Sequence, residues 1–238
     1  MPILIGKNSN GVDQFFDLAQ MPLLMISYFD EKQVDRIFLN IIKTIIQKNG
    51  IIYLITTTRK INILHTSKHQ MFIFFKDEPE SYLSNIRTRR DLLSFICKEI
   101  TIRKKIMKQK KIGSISKYAS SNIWNIDNLH YCFFLIDDIW DLVTANNKSI
   151  ILDLIYIFLN GPSVGVHSVF ASAISYRNLL EQLKSLNPKI KYALQKKYGI
   201  PEPNRFSSMG YELIFSPDGL IFFIDSNNQQ QQIYYPYD

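Results

Sequence analysis

Cysteine is nearly absent from this 238-residue sequence, which has only Cys97 and Cys132. Each sits among apolar neighbours and no paired spacing joins them. A disulfide framework is therefore excluded, and both thiols are expected to be buried small hydrophobes in a reducing, cytoplasmic compartment. Histidine is sparse as well, with four scattered residues. His65 and His69 could share a helix face, but without a third ligand they make no metal centre. Long apolar runs are missing. The longest, residues 150–159, is broken by Asp153 and is too short to span a bilayer, so an integral membrane protein is not expected. No basic stretch followed by a long apolar one stands at the amino terminus, so no secretory leader is expected. Glycine is also scarce, at nine residues, and the stretch 27–35, S-Y-F-D-E-K-Q-V-D, contains none.

What is present suffices for a globular core. Hydrophobic residues make up 46% and charged residues 21% of a chain long enough for one large domain. The net charge of +7 is unevenly placed. Residues 87–111 hold ten basic side chains against Asp91 and Glu99, so this segment alone carries +8 and the remainder −1. A localised patch of this kind suits a phosphate backbone or an acidic partner surface, or it is the solvated face of a long helix.

The apolar pattern alternates between two periods. Residues 1–20 read as an extended lead-in with turn signals at 8–11. Residues 23–26 are a first buried strand, and 30–48 place Val34, Ile37, Phe38, Ile41, Ile42, Ile45 and Ile46 at helical spacing. Strands are expected at 51–55 and 71–75, a long helix over 80–111, and a short further helix at 114–120. The run 131–136 has four aromatic or β-branched residues among six and no polar break, as a strand buried on both faces requires. Asp137 and Asp138 stand at its carboxyl end, where open α/β sheets bind ligands and where a carboxylate can hold magnesium beside a phosphate. A helix follows at 149–159, apolar nearly all round and ended by Gly161-Pro162. Then come a strand at 166–171, a helix at 176–186, a strand at 190–194 and a hairpin of 211–215 with 220–224. The tail from residue 226 is rich in Gln and Tyr, with 233–235 its only strand-like piece. Strand and helix in alternation predict an α/β fold with a mainly parallel central sheet and helices on both faces.

The ordered set of segments resembles the motor domain of the FtsK/SpoIIIE family of DNA translocases, within the RecA-like P-loop ATPases. F-D-L-A-Q-M-P-L-L-M-I at 16–26 is similar to that family's lead-in to its Walker A loop. E-I-T-I-R-K-K-I-M at 99–107 resembles its "E-M-e-r-R-y-k-l-m" helix at Glu99, Arg103, Lys105 and Met107, and Tyr118 falls where "e-Y-N" follows. F-L-I-D-D-I-W-D-L-V at 134–143 is similar to the Walker B segment. G-V-H-S-V-F-A-S-A at 165–173 resembles "G-I-H-l-i-l-A-T-Q", Asn187-Pro188 resembles "N-i-P-t-R", and 210–222 resembles "G-A-E-k-L-l-G-x-G-D-m-L-f". The match spans roughly residues 6–224. It implies a degenerate ATPase domain over 1–225 and a Gln/Tyr-rich tail over 226–238. The Asp-Asp doublet is also similar to the degenerate last modules of type VII secretion motors.

Departures from the pattern decide what the resemblance implies for activity. Glycines let backbone N–H groups wrap the phosphates while a lysine reaches the outer oxygens. In 27–35 bulky side chains and Asp30, Glu31 and Asp35 replace them, with Lys32 the one lysine at hand. Asp138 stands for the family's glutamate, Ala173 for its glutamine, residues 56–58 for its "D-P-K", and Pro162, Ser163 and Val164 where an arginine is expected. Together these losses remove phosphate binding, water activation and charge stabilisation. The expected protein is thus a non-hydrolysing structural or regulatory subunit, assembling with homologous ATPase subunits or with itself. It is expected to need neither the ATP nor the magnesium of its family, with Asp137 the ligand if magnesium is bound and Asp137 and Asp138 a vestigial Walker B pair. Two alternatives stand beside it: a nucleic-acid-binding module using 87–111, and a divergent but active translocase. In the basic segment Arg103 is expected to pair with Glu99, which leaves Lys104, Lys105, Lys108, Lys110 and Lys111 as surface cations for DNA or an acidic partner.

Overall fold

The computed structural model describes residues 2–19, 21, 23–28, 31–47, 50–56, 71–75, 89–113, 115, 131–139, 148–172, 210–215, 221–224 and 229–233. The chain opens with β1 (Pro2–Lys7) and β2 (Asp13–Asp17), which pair antiparallel. Their turn falls where the sequence signals it: Asn8 Oδ1 accepts the N–H of Asn10 and of Val12 at 3.0 Å, and Gly11 takes φ +75°. The extended lead-in is therefore a hairpin with its own two-stranded sheet. Next come β3 (Leu23–Ser27), α1 (Glu31–Gln47), β4 (Ile51–Thr56), β5 (Met71–Phe75), α2 (Arg89–Gln109) and β6 (Cys132–Ile136). They are followed by α3 (Lys148–Asn160), a 3-10 turn at Pro162–Val164, β7 (Val166–Ser172), β8 (Gly210–Phe215), β9 (Ile221–Ile224) and β10 (Gln230–Ile233).

These strands form an eight-stranded sheet in the order β10-β9-β8-β3-β7-β6-β4-β5. Every pairing from β8 through β5 is parallel, and β9 and β10 add an antiparallel edge. The four strands expected inside, β3, β4, β6 and β7, are inside. Alternation along each strand divides the core between two layers. Phe133 and Leu135 of β6, with Leu24, Ile26, Ile52, Leu54 and Val169, pack under the Ile37, Phe38, Ile41, Ile42 and Ile45 stripe of α1. Cys132, Phe134 and Ile136, with Met25, Tyr53, Ile55 and Phe170, face α2 and α3. The five β6 side chains are wholly buried, each stabilising the fold by about 1.5–3 kcal/mol through removal from water. This is why that run tolerates no polar residue.

The strand of the tail differs from expectation. It is found at Gln230–Ile233, held by pairing with β9, where 233–235 was expected; residues 234 and 235 lie outside the described residues. Glutamine has no strong strand preference, but an edge offering unpaired N–H and C=O groups recruits backbone whatever its side chains. The long helix is described from Arg89 onward. The helices expected at 176–186 and, beyond Ile115, at 114–120, the strand at 190–194, and His65 and His69 lie outside the described residues.

Candidate functional site

Parallel strands bring the carboxyl ends of β3, β4, β6 and β7 to one edge of the sheet. Ser27 stands level with Ser172, and Ile55 with Ile136. Asp137 extends β6 by donating its N–H to Ile55 O at 3.2 Å, which sets Asp137 and Asp138 half-buried at the mouth of this edge. Both take part in further interactions, as does half-buried Asp35 of α1. The expected placement of the doublet, at the carboxyl end of a central strand, is thus found. Among the described residues no group of three potential ligands could hold a metal ion.

A nucleotide would need donors on the β3 side of this edge. Only residues 28–30 separate β3 from α1, and none is glycine. The first free N–H after the strand, that of Tyr28, is already donated to Ser172 O at 3.1 Å. Ser27 and Ser172, 6% and 0% exposed, are likewise engaged. At this junction the sequence thus lacks the glycines with which a phosphate cradle wraps its ligand, and the N–H of Tyr28 is already donated within the sheet. Asp30 and Ala173 lie outside the described residues, and the side chain of Lys32 does too.

The basic segment separates into unlike positions on α2. Arg103 is 2% exposed and donates through Nε to Glu99 Oε1 at 2.7 Å, as the four-residue spacing predicts. It also reaches across the layer. Nη1 donates to Val164 O at 3.2 Å and Nη2 to Cys132 Sγ at 3.0 Å, so one guanidinium ties α2 to β6 and to the turn before β7. Burial pushes the Cys132 thiol up to about 11, against the opposing pull of Arg103, and it pushes the neighbouring Tyr53 phenol up as well.

Lys105, Lys108, Lys110 and Lys111 are exposed, as expected. Lys104 is not their equivalent: it is half-buried, its Nζ donates to Asn160 Oδ1 of α3, and it lies 5.6 Å from the Tyr156 ring centroid. Burial lowers its pKa. The expectation that Lys104 is a surface cation is corrected accordingly, because α3 packs over that side of α2. Lys98, which the surface set omitted, is exposed.

Sequence reasoning also missed the polar stripe of α3. Asp153, Tyr156 and Asn160 recur at helical spacing in a helix that is otherwise apolar from Ile150 onward, and that interruption of the pattern was the available signal. Tyr156 OH and Thr101 Oγ1 of α2 are 3.1 Å apart, which together with the Lys104 bond fixes the separation of the two helices.

No protein-family model matches the chain, and no curated protein does. Solved structures do. The chain is similar to the cytoplasmic domain of the Thermomonospora curvata type VII secretion ATPase EccC, with a TM-score of 0.64 and 12% identity over 99% of this chain and 28% of that one. It is similar to the pCW3 conjugation coupling protein TcpA in a monomer form with ATPγS, with a TM-score of 0.64 and 12% identity over 98% and 66%. It is also similar to EssC (ATPases 2 and 3) from Geobacillus thermodenitrificans, with a TM-score of 0.60 and 16% identity over 100% and 44%. The chain thus spans between 28% and 66% of the length of these proteins. At such identities the likeness shows the fold, the RecA-like P-loop ATPase fold of FtsK/SpoIIIE-like ATPases that the sequence resemblance implied.

Proposed function

We propose that this chain is a catalytically degenerate FtsK/SpoIIIE-like ATPase domain, a structural or regulatory subunit of a DNA-translocation or secretion motor that does not hydrolyse ATP itself. One observation carries the reading: a three-residue, glycine-free connection joins β3 to α1 within an otherwise intact sheet. Motor ATPases bind phosphate at that junction through successive backbone N–H groups, and a connection this short cannot wrap one. The replacement of the family's glutamate by Asp138, of its glutamine by Ala173 and of its arginine by residues 162–164 acts in the same direction. The intact hydrophobic layers on both faces favour a retained role in packing. The partners of the reading are homologous ATPase subunits or further copies of the chain, in the cytoplasm; the matched EssC structure holds two ATPase modules.

Calorimetry with magnesium and ATP at millimolar concentration tests it. No saturable heat is expected. A saturable isotherm abolished by Asp137→Ala would replace the proposal with the divergent, active translocase.

A second reading rests on a separate observation, the exposure of Lys98, Lys105, Lys108, Lys110 and Lys111 along α2 and its end. These cations would hold nucleic acid by its backbone without sequence preference, and affinity would then fall steeply with salt. Mobility shift of duplex DNA across a salt series distinguishes this from a purely protein-binding module.

A further inference from the structure

Between α2 and α3, on the side of the domain away from α1, lies an open cleft of about 720 Å³. That is within the range of volumes, roughly 300–1,000 Å³, that proteins use to seat ligand groups. Cys97 and Tyr156 contribute to its floor, and Lys98, Ile102 and Lys104 to its α2 side. Its walls are held at fixed separation by the Thr101–Tyr156 and Lys104–Asn160 hydrogen bonds and by the Cys97 thiol on Asp153 O at 3.7 Å. The cleft is therefore preformed, and an occupant need not bear the cost of ordering it.

Two features define the occupant. The first is apolar: Ile102 is 53% exposed although it belongs to the same helix as the fully buried Ile96 and Ile100. Its exposed side chain borders the opening, so a ligand that covers it gains burial the monomer lacks. The second is charge. Lys98 and Lys104 line the cleft, and its one carboxylate, Asp153, is 3% exposed and engaged. The charged side chains of the lining thus carry a positive surplus. A furrow between two packed helices is also a place that can receive a third helix, at the usual interaxial distance of about 8–10 Å.

We propose that this cleft docks an acidic amphipathic helical segment of a protein partner, its apolar side chains on Ile102 and its carboxylates on Lys98 and Lys104. An ammonium has three donors, so Lys104 can keep its bond to Asn160 and still donate to a carboxylate. Nucleic acid fits this place less well. Bases need an open aromatic face to stack on, whereas the Tyr156 ring is 8% exposed beneath the helices. The inference does not depend on the reading of the β3 to α1 junction, since none of these residues lies at that edge.

The test uses the full chain and a fluorescein-labelled synthetic peptide of about four helical turns, with leucines on one face and glutamates on the other. Fluorescence anisotropy should show saturable binding. Ile102→Asp and Lys98→Glu should each weaken it by about tenfold or more, as should shuffling the peptide to break its apolar stripe. Both substituted positions are exposed, so the melting temperature should hold and loss of binding is not loss of fold. Lys111→Glu, beyond the end of the helix, should leave the affinity unchanged. Absence of saturable binding overturns the proposal. So does equal binding of the shuffled peptide or by Ile102→Asp, or an equal loss in Lys111→Glu, since each reduces the effect to charge attraction. Displacement of the peptide by a DNA duplex whose own binding is lost in Lys98→Glu assigns the surface to nucleic acid instead.

Discussion

The Arg103 guanidinium on α2 and the Cys132 sulfur on β6 meet at 3.0 Å inside the protein, with Glu99 holding the other side of the same guanidinium at 2.7 Å. A buried cation is tolerated only when its donors are satisfied, and here a carboxylate, a thiol and the Val164 carbonyl share them. Arg103→Met should lower the stability by about 3 kcal/mol, because it leaves those acceptors without a donor. Arg103→Lys should not rescue it, since an ammonium cannot span three acceptors held in a planar fork. The midpoint of urea unfolding, read at constant slope, checks both.

His167 predicts a pH dependence of stability. Its Nδ1 donates to the Met21 carbonyl at 2.8 Å, its ring stacks on Phe133, and its Nε2 has no hydrogen-bond partner among the described residues. Burial lowers its pKa, outweighing the opposing pull of the Met21 bond and of Asp17. The unfolded chain therefore binds the proton more readily. The stability that neutral His167 contributes is complete above the unfolded value of about 6.5, and it is lost as pH falls from there toward the lower folded pKa. Urea midpoints from pH 7.5 downward should fall more steeply in the wild type than in His167→Asn, whose amide can still donate to Met21.

Gly161 sits where the chain leaves α3, in helical conformation at φ −62°. A Cβ there would come within 2.5 Å of Val166 O and 2.6 Å of Ile157 O, both backbone atoms of flanking elements. Val166 is held by its N–H to Gly161 O and the Ile157 carbonyl by the Gly161 N–H, so neither moves without disturbing a backbone hydrogen bond. Gly161→Ala should therefore cost about 2–3 kcal/mol, while Gly113→Ala, with nothing within 4 Å, should be neutral or slightly stabilising. Thermal unfolding of the pair separates steric cost from helix propensity.

Lysines adjacent in sequence should behave differently. Lys104→Ala removes the bond to Asn160 and the contact with Tyr156 and should destabilise by about 1 kcal/mol. Lys105→Glu and Lys108→Glu, at exposed positions, should leave the melting temperature nearly unchanged. If DNA is bound, those two should weaken it and flatten its salt dependence. The comparison needs only a thermal shift assay and a mobility shift.

Local periodicity carries much of this fold, and so much of it was legible. Apolar residues at 37, 38, 41, 42 and 45 can lie on one side only if the segment is helical, and Cys132–Ile136 without a polar residue can only be buried on both faces. The hairpin of β8 and β9, the turn at 8–11 and the Glu99–Arg103 pair belong to the same class, each set by residues close in sequence. The junction of β3 and α1 was likewise readable, since the missing glycines of 27–35 are a property of the chain alone.

Tertiary structure decided whatever depends on lateral order. That β7 lies between β3 and β6 sets which strand ends share the edge with Asp137, and no local pattern encodes it. Two further partners of Arg103, Cys132 and Val164, stand 29 and 61 residues away. Lys104 and Lys105 are indistinguishable by sequence; α3, packed over one side of α2, half-buries the first against Asn160 and leaves the second in water. Spacing along the chain fixes the direction of a side chain about its own helix, but what stands in that direction is fixed by the packing of elements far apart in sequence.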